Sequence, residues 1–187
     1  MDLGQGTLRG KVLVATPPLV DPNFDRTVVL MLEHGDEGAL GIVLNRPSDT
    51  TVDDVLPEWH VFASSPAVVF TGGPVAPDAV IALGRASRLD ATSGWVPIIG
   101  DLGTIDLGRD PLDLGIPLDE LRVFVGYAGW GPGQLEGELG AHAWFVVDLG
   151  RNDPFAPVPE RLWRDVLKRQ RGHPAMFAQY PDDATAN

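Results

Sequence analysis

Short apolar stretches, separated by glycine and proline, dominate the pattern of hydrophobic and polar positions along this chain. Each stretch is too short for a long helix and is rich in valine, isoleucine and leucine, which favours β-strands. The predicted strands cover residues 11–15, 27–32, 39–44, 67–70, 79–83, 121–125 and 143–147. Between the second and third, Gly35-Asp36-Glu37-Gly38 has the residue types of a tight turn. Residues 27–45 are therefore predicted to form a β-hairpin.

The pattern predicts fewer helices than strands. Thr51 is placed to cap a short helix over residues 52–56, which Pro57 would end. A second helix over 132–139 has proline at its first position. The clearest helix covers 159–171, where four apolar side chains share one face. A single domain over 1–173 is expected, followed by a partly ordered C-terminal tail over 174–187.

Composition narrows the possible chemistry. The chain has 187 residues and no cysteine, which excludes disulfides, zinc–thiolate sites, iron–sulfur clusters and cysteine nucleophiles. Its longest apolar runs are far shorter than a membrane helix requires. The N-terminus carries Asp2 and lacks the basic segment followed by an apolar segment that marks a secretory signal, so no such signal is expected. A cytoplasmic protein is predicted.

The charge is unevenly distributed. The chain has 14 Lys and Arg against 26 Asp and Glu, a formal net charge of −12. Residues 1–150 carry −13 and residues 151–187 carry +1. A basic stripe on the predicted last helix is the candidate nucleic-acid or partner surface, and it consists of Arg161, Arg164, Lys168 and Arg171. Four cations beside an acidic segment with a charge of −13 are too few for strong binding to nucleic acid. The basic stripe is therefore predicted to be a solvent-exposed helix face or a surface that binds a protein.

Sequence motifs for several common chemistries are absent. The chain has no dinucleotide or P-loop fingerprint and no serine elbow. Its four histidines are isolated from one another, so neither a metal site nor a cofactor is predicted. Asp-Leu-Gly recurs three times within residues 101–115, but the spacing of the aspartates does not fit a calcium loop. That segment is predicted to form turns.

Three blocks of sequence carry a resemblance to a known family. The first block covers residues 10–17 and 21–24, the second 33–34 and 38–47, and the third 126–139. The turn at 72–75, Trp163 and Leu167 on the last helix, and Tyr180-Pro181 near the end add to them. Together they resemble the AlgH/YqgE family of small bacterial proteins. The resemblance implies an α+β fold, in which a branched β-sheet curls into a pseudo-barrel with a few flanking helices. It implies no reaction, because the family has no assigned activity and its members are often labelled transcriptional regulators.

Polar residues within these blocks form the candidate binding site. The hairpin places Arg26 opposite Asn45 and Arg46, and the preceding loop leads into the same edge. Two arginines at one edge of the hairpin can bind a carboxylate or phosphate through their guanidinium groups. The candidate ligand- or anion-binding residues are Asp21, Asn23, Arg26, Asn45, Arg46, Tyr127, Trp130 and Gln134. In the alternative interpretation, Asp21 and Asn23 close turns, one arginine pairs with Asp21, and Trp130 fills the core.

These observations favour a non-catalytic module that binds a small anionic ligand or a protein partner, with an indirect regulatory role. A homodimer is compatible with exposed hairpin edges. Two alternatives stay open. The first is a transcriptional regulator that contacts DNA directly through the basic stripe. The second is an unrecognised hydrolase using Glu33-His34 or Tyr127, although no activated nucleophile is visible in the sequence.

Overall fold

The described part of the chain folds into ten strands and a few short helices. The computed structural model describes residues 6–19, 21–87, 94–115 and 117–181. The strands are β1 (Lys11–Ala15), β2 (Val28–Gly35), β3 (Gly38–Val43), β4 (Pro47–Thr51), β5 (Val68–Thr71), β6 (Val75–Ala86), β7 (Trp95–Ile99), β8 (Leu102–Ile105), β9 (Leu118–Trp130) and β10 (Trp144–Asp148). The α-helices are α1 (Val52–Val55), α2 (Gln134–Gly140), α3 (Leu162–Lys168) and α4 (His173–Met176). Single 3-10 turns cover His60–Phe62, Pro111–Leu114, Asp153–Phe155, Pro159–Arg161 and Phe177–Gln179.

The strands form one curled and branched sheet. Its order is β10-β1-β2-β3-β9-β6-β8-β7, with all of these neighbours antiparallel. The branch lies at β9, which also pairs in parallel with β5, and β5 in turn pairs with β4. The chain is therefore an α+β protein whose branched sheet curls into a pseudo-barrel flanked by a few helices, which confirms the predicted fold class.

A close approach of two backbones holds the branch together. Gly73 and Gly126 both have positive φ, at 152° and 70°. A Cβ on Gly73 would lie 2.2 Å from the carbonyl carbon of Tyr127, and a Cβ on Gly126 would lie 2.4 Å from the carbonyl oxygen of Gly73. Only glycine fits at these two positions. The glycines of the 72–75 turn and of β9 are thus required for this crossing.

The helix α3 covers one side of the sheet. Its apolar side chains Leu162, Trp163, Val166 and Leu167 are buried in the core with Val12 and Val14 of β1 and Val28 and Leu30 of β2. The indole Nε1 of Trp163 donates to the carbonyl of Ala15 at 2.8 Å. This contact fixes the start of α3 beside the end of β1, next to the loop that leads into β2.

Several predicted elements differ in detail. Gly35 pairs with Gly38, so the hairpin turn contains only Asp36 and Glu37. The last helix begins as a 3-10 turn at Pro159 and ends at Lys168, short of the predicted end at residue 171. The segment 101–115 was predicted to form turns, but it contains β8 and a 3-10 turn. The strands β4, β7 and β8 were not predicted. No helix in the described part of the chain is long and apolar enough to cross a membrane.

Candidate functional site

A cleft of about 410 Å³ lies between the end of β3 and the start of α3. It brings together three residues predicted from the hairpin and four others. Its walls are formed by Arg26, Asn45, Arg46, Pro47, Glu160, Trp163 and Arg164. Among the lining residues that the structure describes, three side chains are guanidiniums and one is a carboxylate, a formal excess of two positive charges on a chain with a net charge of −12.

The Asn45 side chain sets the backbone on one side of the cleft. Its Nδ2 donates to the carbonyl of Arg26 at 2.9 Å, and its Oδ1 accepts the Val28 N–H at 3.0 Å. Asn45 is buried, so both bonds are shielded from water. Arg26 has φ of +52°, which is uncommon for a residue with a Cβ. The buried amide therefore supports the backbone conformation that carries the Arg26 side chain.

An aromatic ring lies beneath one of the guanidiniums. The Cζ of Arg26 lies 5.3 Å from the centroid of the Trp163 ring, within the range of a cation–π contact. Trp163 is only 2% exposed, and its indole N–H is bonded to Ala15. Arg26 also donates to the carbonyl of Pro181. The indole thus forms a fixed surface for the guanidinium, and a ligand cannot stack on it.

Main-chain carbonyls orient all three guanidiniums. Arg46 Nη2 donates to the carbonyl of Asp25, and Arg164 Nη1 donates to the carbonyl of Ala178 at 3.1 Å. Arg26 donates to Pro181, as described above. Glu160 supplies the carboxylate in the lining of the cleft and lies one turn before Arg164.

The loop before β2 contributes structure at the edge of this region. Asp21 Oδ1 accepts the Asn23 N–H at 2.8 Å, and the Asp21 carbonyl accepts the N–H groups of Phe24 and Asp25. Both side chains are exposed, and neither lines the cleft. Asp21 and Asn23 therefore close the turn that leads to Arg26.

A second polar cluster lies away from the cleft, around Glu138 of α2. Glu138 Oε2 accepts the indole N–H of Trp130 at 2.9 Å and that of Trp144 at 2.8 Å. Gln134 Nε2 donates to Glu138 Oε1 at 3.1 Å, and its Oε1 accepts the Gly131 N–H. Trp130 and Gln134 are thus committed to this network and do not reach the cleft. Tyr127 lies on β9 opposite Val75 and also lies outside the cleft.

The basic stripe is divided by the structure. Arg161 belongs to the 3-10 turn and is exposed, whereas Arg164 points into the cleft. Lys168 is exposed on the last turn of α3. Arg171 lies beyond the helix, in the segment that leads to α4. The four cations therefore do not share one helical face.

Both ring nitrogens of His34 have hydrogen-bond partners. Nδ1 accepts the Leu8 N–H at 3.2 Å, and Nε2 lies 2.9 Å from Glu136 Oε1. A hydrogen bond from its own backbone N–H and the contact with His34 hold the pKa of Glu136 below its ordinary value. A neutral His34 with its proton on Nε2 satisfies both contacts, which leaves no free nitrogen to act as a base. In the described part of the chain, no three His, Asp or Glu residues are grouped to hold a metal ion.

Glu160 and Trp163 were not predicted to belong to this site, and Arg164 was predicted to lie on the basic stripe. The only signal was the i, i+4 spacing of Glu160 and Arg164, which is also the spacing of an ordinary helical ion pair. No pattern in the sequence indicates that this helix face meets the end of β3.

Comparison with known proteins identifies relatives along nearly the whole chain. The AlgH-like family model matches residues 12–175. The UPF0301 proteins of Streptomyces coelicolor and Streptomyces avermitilis are 51% and 52% identical to this chain over 185 residues. Both alignments cover 97% of this chain and 96% of the relative.

Two solved structures have similar folds. The crystal structure of a protein from Corynebacterium diphtheriae aligns with a TM-score of 0.88 at 30% identity, covering 96% of this chain and 95% of that one. The solution structure of AlgH from Pseudomonas aeruginosa aligns with a TM-score of 0.64 at 30% identity, covering 92% and 99%.

Proposed function

The chain belongs to the AlgH-like family, and we propose that it is a non-catalytic binding protein whose ligand is a small anion held in the cleft between β3 and α3. The observation that carries this proposal is the convergence of Arg26, Arg46 and Arg164 on one cavity. Guanidinium forks match the geometry of carboxylate and phosphate groups. Any effect of the protein on gene expression is then indirect.

The surroundings of the cleft favour a bound anion. Three guanidiniums and one carboxylate among the described lining residues favour an anion over a cation in the cleft. Carbonyl contacts hold the guanidiniums in place, so less side-chain entropy is lost on binding. The volume of about 410 Å³ falls in the range of small-molecule sites.

The composition of the lining supports binding over catalysis. Among the described lining residues there is no hydroxyl, thiol or imidazole that would serve as a nucleophile or base. Glu160 is the only carboxylate among them, and it has no paired carboxylate for acid–base chemistry. We therefore assign the cleft to recognition of an anion without turnover.

A thermal-shift series tests this proposal with inorganic phosphate, pyrophosphate, citrate and a panel of nucleotides, at constant ionic strength. A ligand that binds only the folded state raises the melting temperature in a concentration-dependent way. We expect pyrophosphate to do so in the wild type and in Arg161→Gln, but not in Arg46→Gln. Arg161 is the matched control because it is exposed and lies outside the cleft.

Two outcomes contradict the proposal. If no anion stabilises the wild type, the cleft is not an anion site. The second outcome has two parts. Anions raise the melting temperatures of Arg46→Gln and Arg161→Gln as much as that of the wild type, and Arg161→Gln is the one variant of the two that loses binding to a DNA duplex at low salt. The exposed cations, and not the cleft, would then bind the ligand.

A further inference from the structure

We propose that the open side of the pseudo-barrel holds a second, independent ligand site, which binds a small aliphatic monocarboxylate. A cavity of about 340 Å³ lies where β2 and β3 face β6, β7 and β8. It shares no lining residue with the arginine cleft between β3 and α3. Its volume falls within the range of small-molecule sites.

Arg9 bridges the two flanks of the curled sheet at the mouth of this cavity. Its Nε donates to the carbonyl of Leu32 on β2 at 3.0 Å, and its Nη2 donates to the carbonyl of Pro97 on β7 at 2.6 Å. These two bonds fix the plane of the guanidinium. Within the described ranges, Nη1 has no hydrogen-bond partner, so this guanidinium has a donor available beside the cavity.

Apolar side chains form most of the cavity walls. Leu32, Leu40, Ile81 and Ile98 belong to the main core or pack against it. Val80 and Val96 complete the walls and are 51% and 57% exposed. A hydrocarbon chain in this position would remove the Val96 side chain from water.

The charged groups at the mouth determine the class of head group. The Arg9 guanidinium has no ion pair with Glu33, although both residues line the cavity. A carboxylate on the ligand can accept a hydrogen bond from Arg9 Nη1, as guanidiniums commonly donate to carboxylates. Glu33 adds a negative charge near the same mouth, which disfavours a second negative charge on the ligand. The combination favours a single carboxylate attached to an aliphatic chain.

Calorimetric titration with decanoate and with decanol, both below their aggregation concentrations, tests the site. We expect decanoate to bind the wild type more tightly than decanol. Arg9→Gln should weaken decanoate at least tenfold and leave decanol unchanged, because only the carboxylate loses its partner. Glu33→Gln should strengthen decanoate several-fold, since it removes a like charge.

Two valine variants separate binding in the cavity from adsorption to the surface. Val96→Trp fills the cavity and should abolish binding of both probes. Val146→Trp makes the same change on β10, at an exposed valine outside the cavity, and should bind both probes like the wild type. Circular dichroism melting curves establish that each variant is folded.

Three results overturn the proposal. Decanoate fails to bind the folded wild type, or the two tryptophan variants lower its affinity equally, or Arg9→Gln weakens decanoate and decanol to the same extent. The last result would show that Arg9 acts by closing the sheet and does not recognise a carboxylate.

Discussion

The side chain of Asn45 is hydrogen-bonded to the main-chain carbonyl of Arg26 at 2.9 Å, across 19 residues of sequence. Its other amide atom accepts the Val28 N–H, so one buried side chain is bonded to the backbone on both sides of Thr27. Through this contact Asn45, two positions after the end of β3, supports the backbone conformation of Arg26, which carries a guanidinium into the cleft. Asn45 is thus a positioning residue for the proposed anion site.

Replacing Asn45 with alanine should therefore reduce stability. Asn45→Ala leaves the buried Val28 N–H and the Arg26 carbonyl without these partners, which we expect to lower the free energy of unfolding by about 1–3 kcal/mol. Urea denaturation measures this change. Asn152→Ala is the control, because Asn152 is exposed and should change stability by less than about 0.5 kcal/mol. Equal effects of the two substitutions would contradict the role assigned to Asn45.

Glu138 should be important for stability, because one of its oxygens accepts two indole N–H groups. Glu138→Ala leaves the buried Trp130 and Trp144 N–H groups unsatisfied, and we expect a loss of about 2–4 kcal/mol in the free energy of unfolding. Glu138→Gln keeps one acceptor oxygen and should lose less. Tryptophan fluorescence during urea denaturation reports both values. A glutamine variant as unstable as the alanine variant would show that charge, and not hydrogen bonding, dominates.

Asp101 should make stability depend on pH in the acid range. Burial opposes its ionisation, but hydrogen bonds and positive charge from Arg151 and Arg85 outweigh burial and hold its pKa below the ordinary value of 3.8. The unfolded state therefore binds a proton more readily than the folded state. The stabilisation from Asp101 is present above pH 3.8 and is lost as the pH falls through the lower folded pKa.

Urea denaturation between pH 7 and pH 3 measures this contribution. Asp101→Asn should be less stable than the wild type at pH 7 and should lose less stability on acidification. Asp49→Asn is the control, since Asp49 is exposed on β4 and has no ion pair within the described ranges. If Asp101→Asn and the wild type lose stability in parallel, the pair with Arg85 and Arg151 does not stabilise the fold.

Local patterns in the sequence were sufficient for much of the fold. The hairpin of β2 and β3 was predicted because two short apolar stretches lie on either side of residues typical of a tight turn. The strands β7 and β8 were missed because their packing depends on each other. Trp95 of β7 lies against Gly103 of β8, where a Cβ would be 2.6 Å from the indole ring. A glycine opposite a tryptophan has no signature in the sequence of either strand.

The candidate site was predictable on the side where its residues are close in sequence. Hairpin geometry brought Arg26 to Asn45 and Arg46, because the turn fixes which residues lie opposite each other. The other side depends on α3, which is held by a bond from Trp163 to Ala15 across 148 residues. Contacts over that distance are set by tertiary packing, so no spacing rule could place Glu160 or Arg164 in the cleft.

The most direct test of the central claim is isothermal titration calorimetry of pyrophosphate with three proteins: the wild type, Arg46→Gln and Arg161→Gln. The account predicts saturable binding to the wild type and to Arg161→Gln, and an affinity at least tenfold lower in Arg46→Gln, which corresponds to a loss of about 1.4 kcal/mol. Pyrophosphate binding that is weakened equally by the two substitutions, or that is absent from the folded wild type, would contradict it.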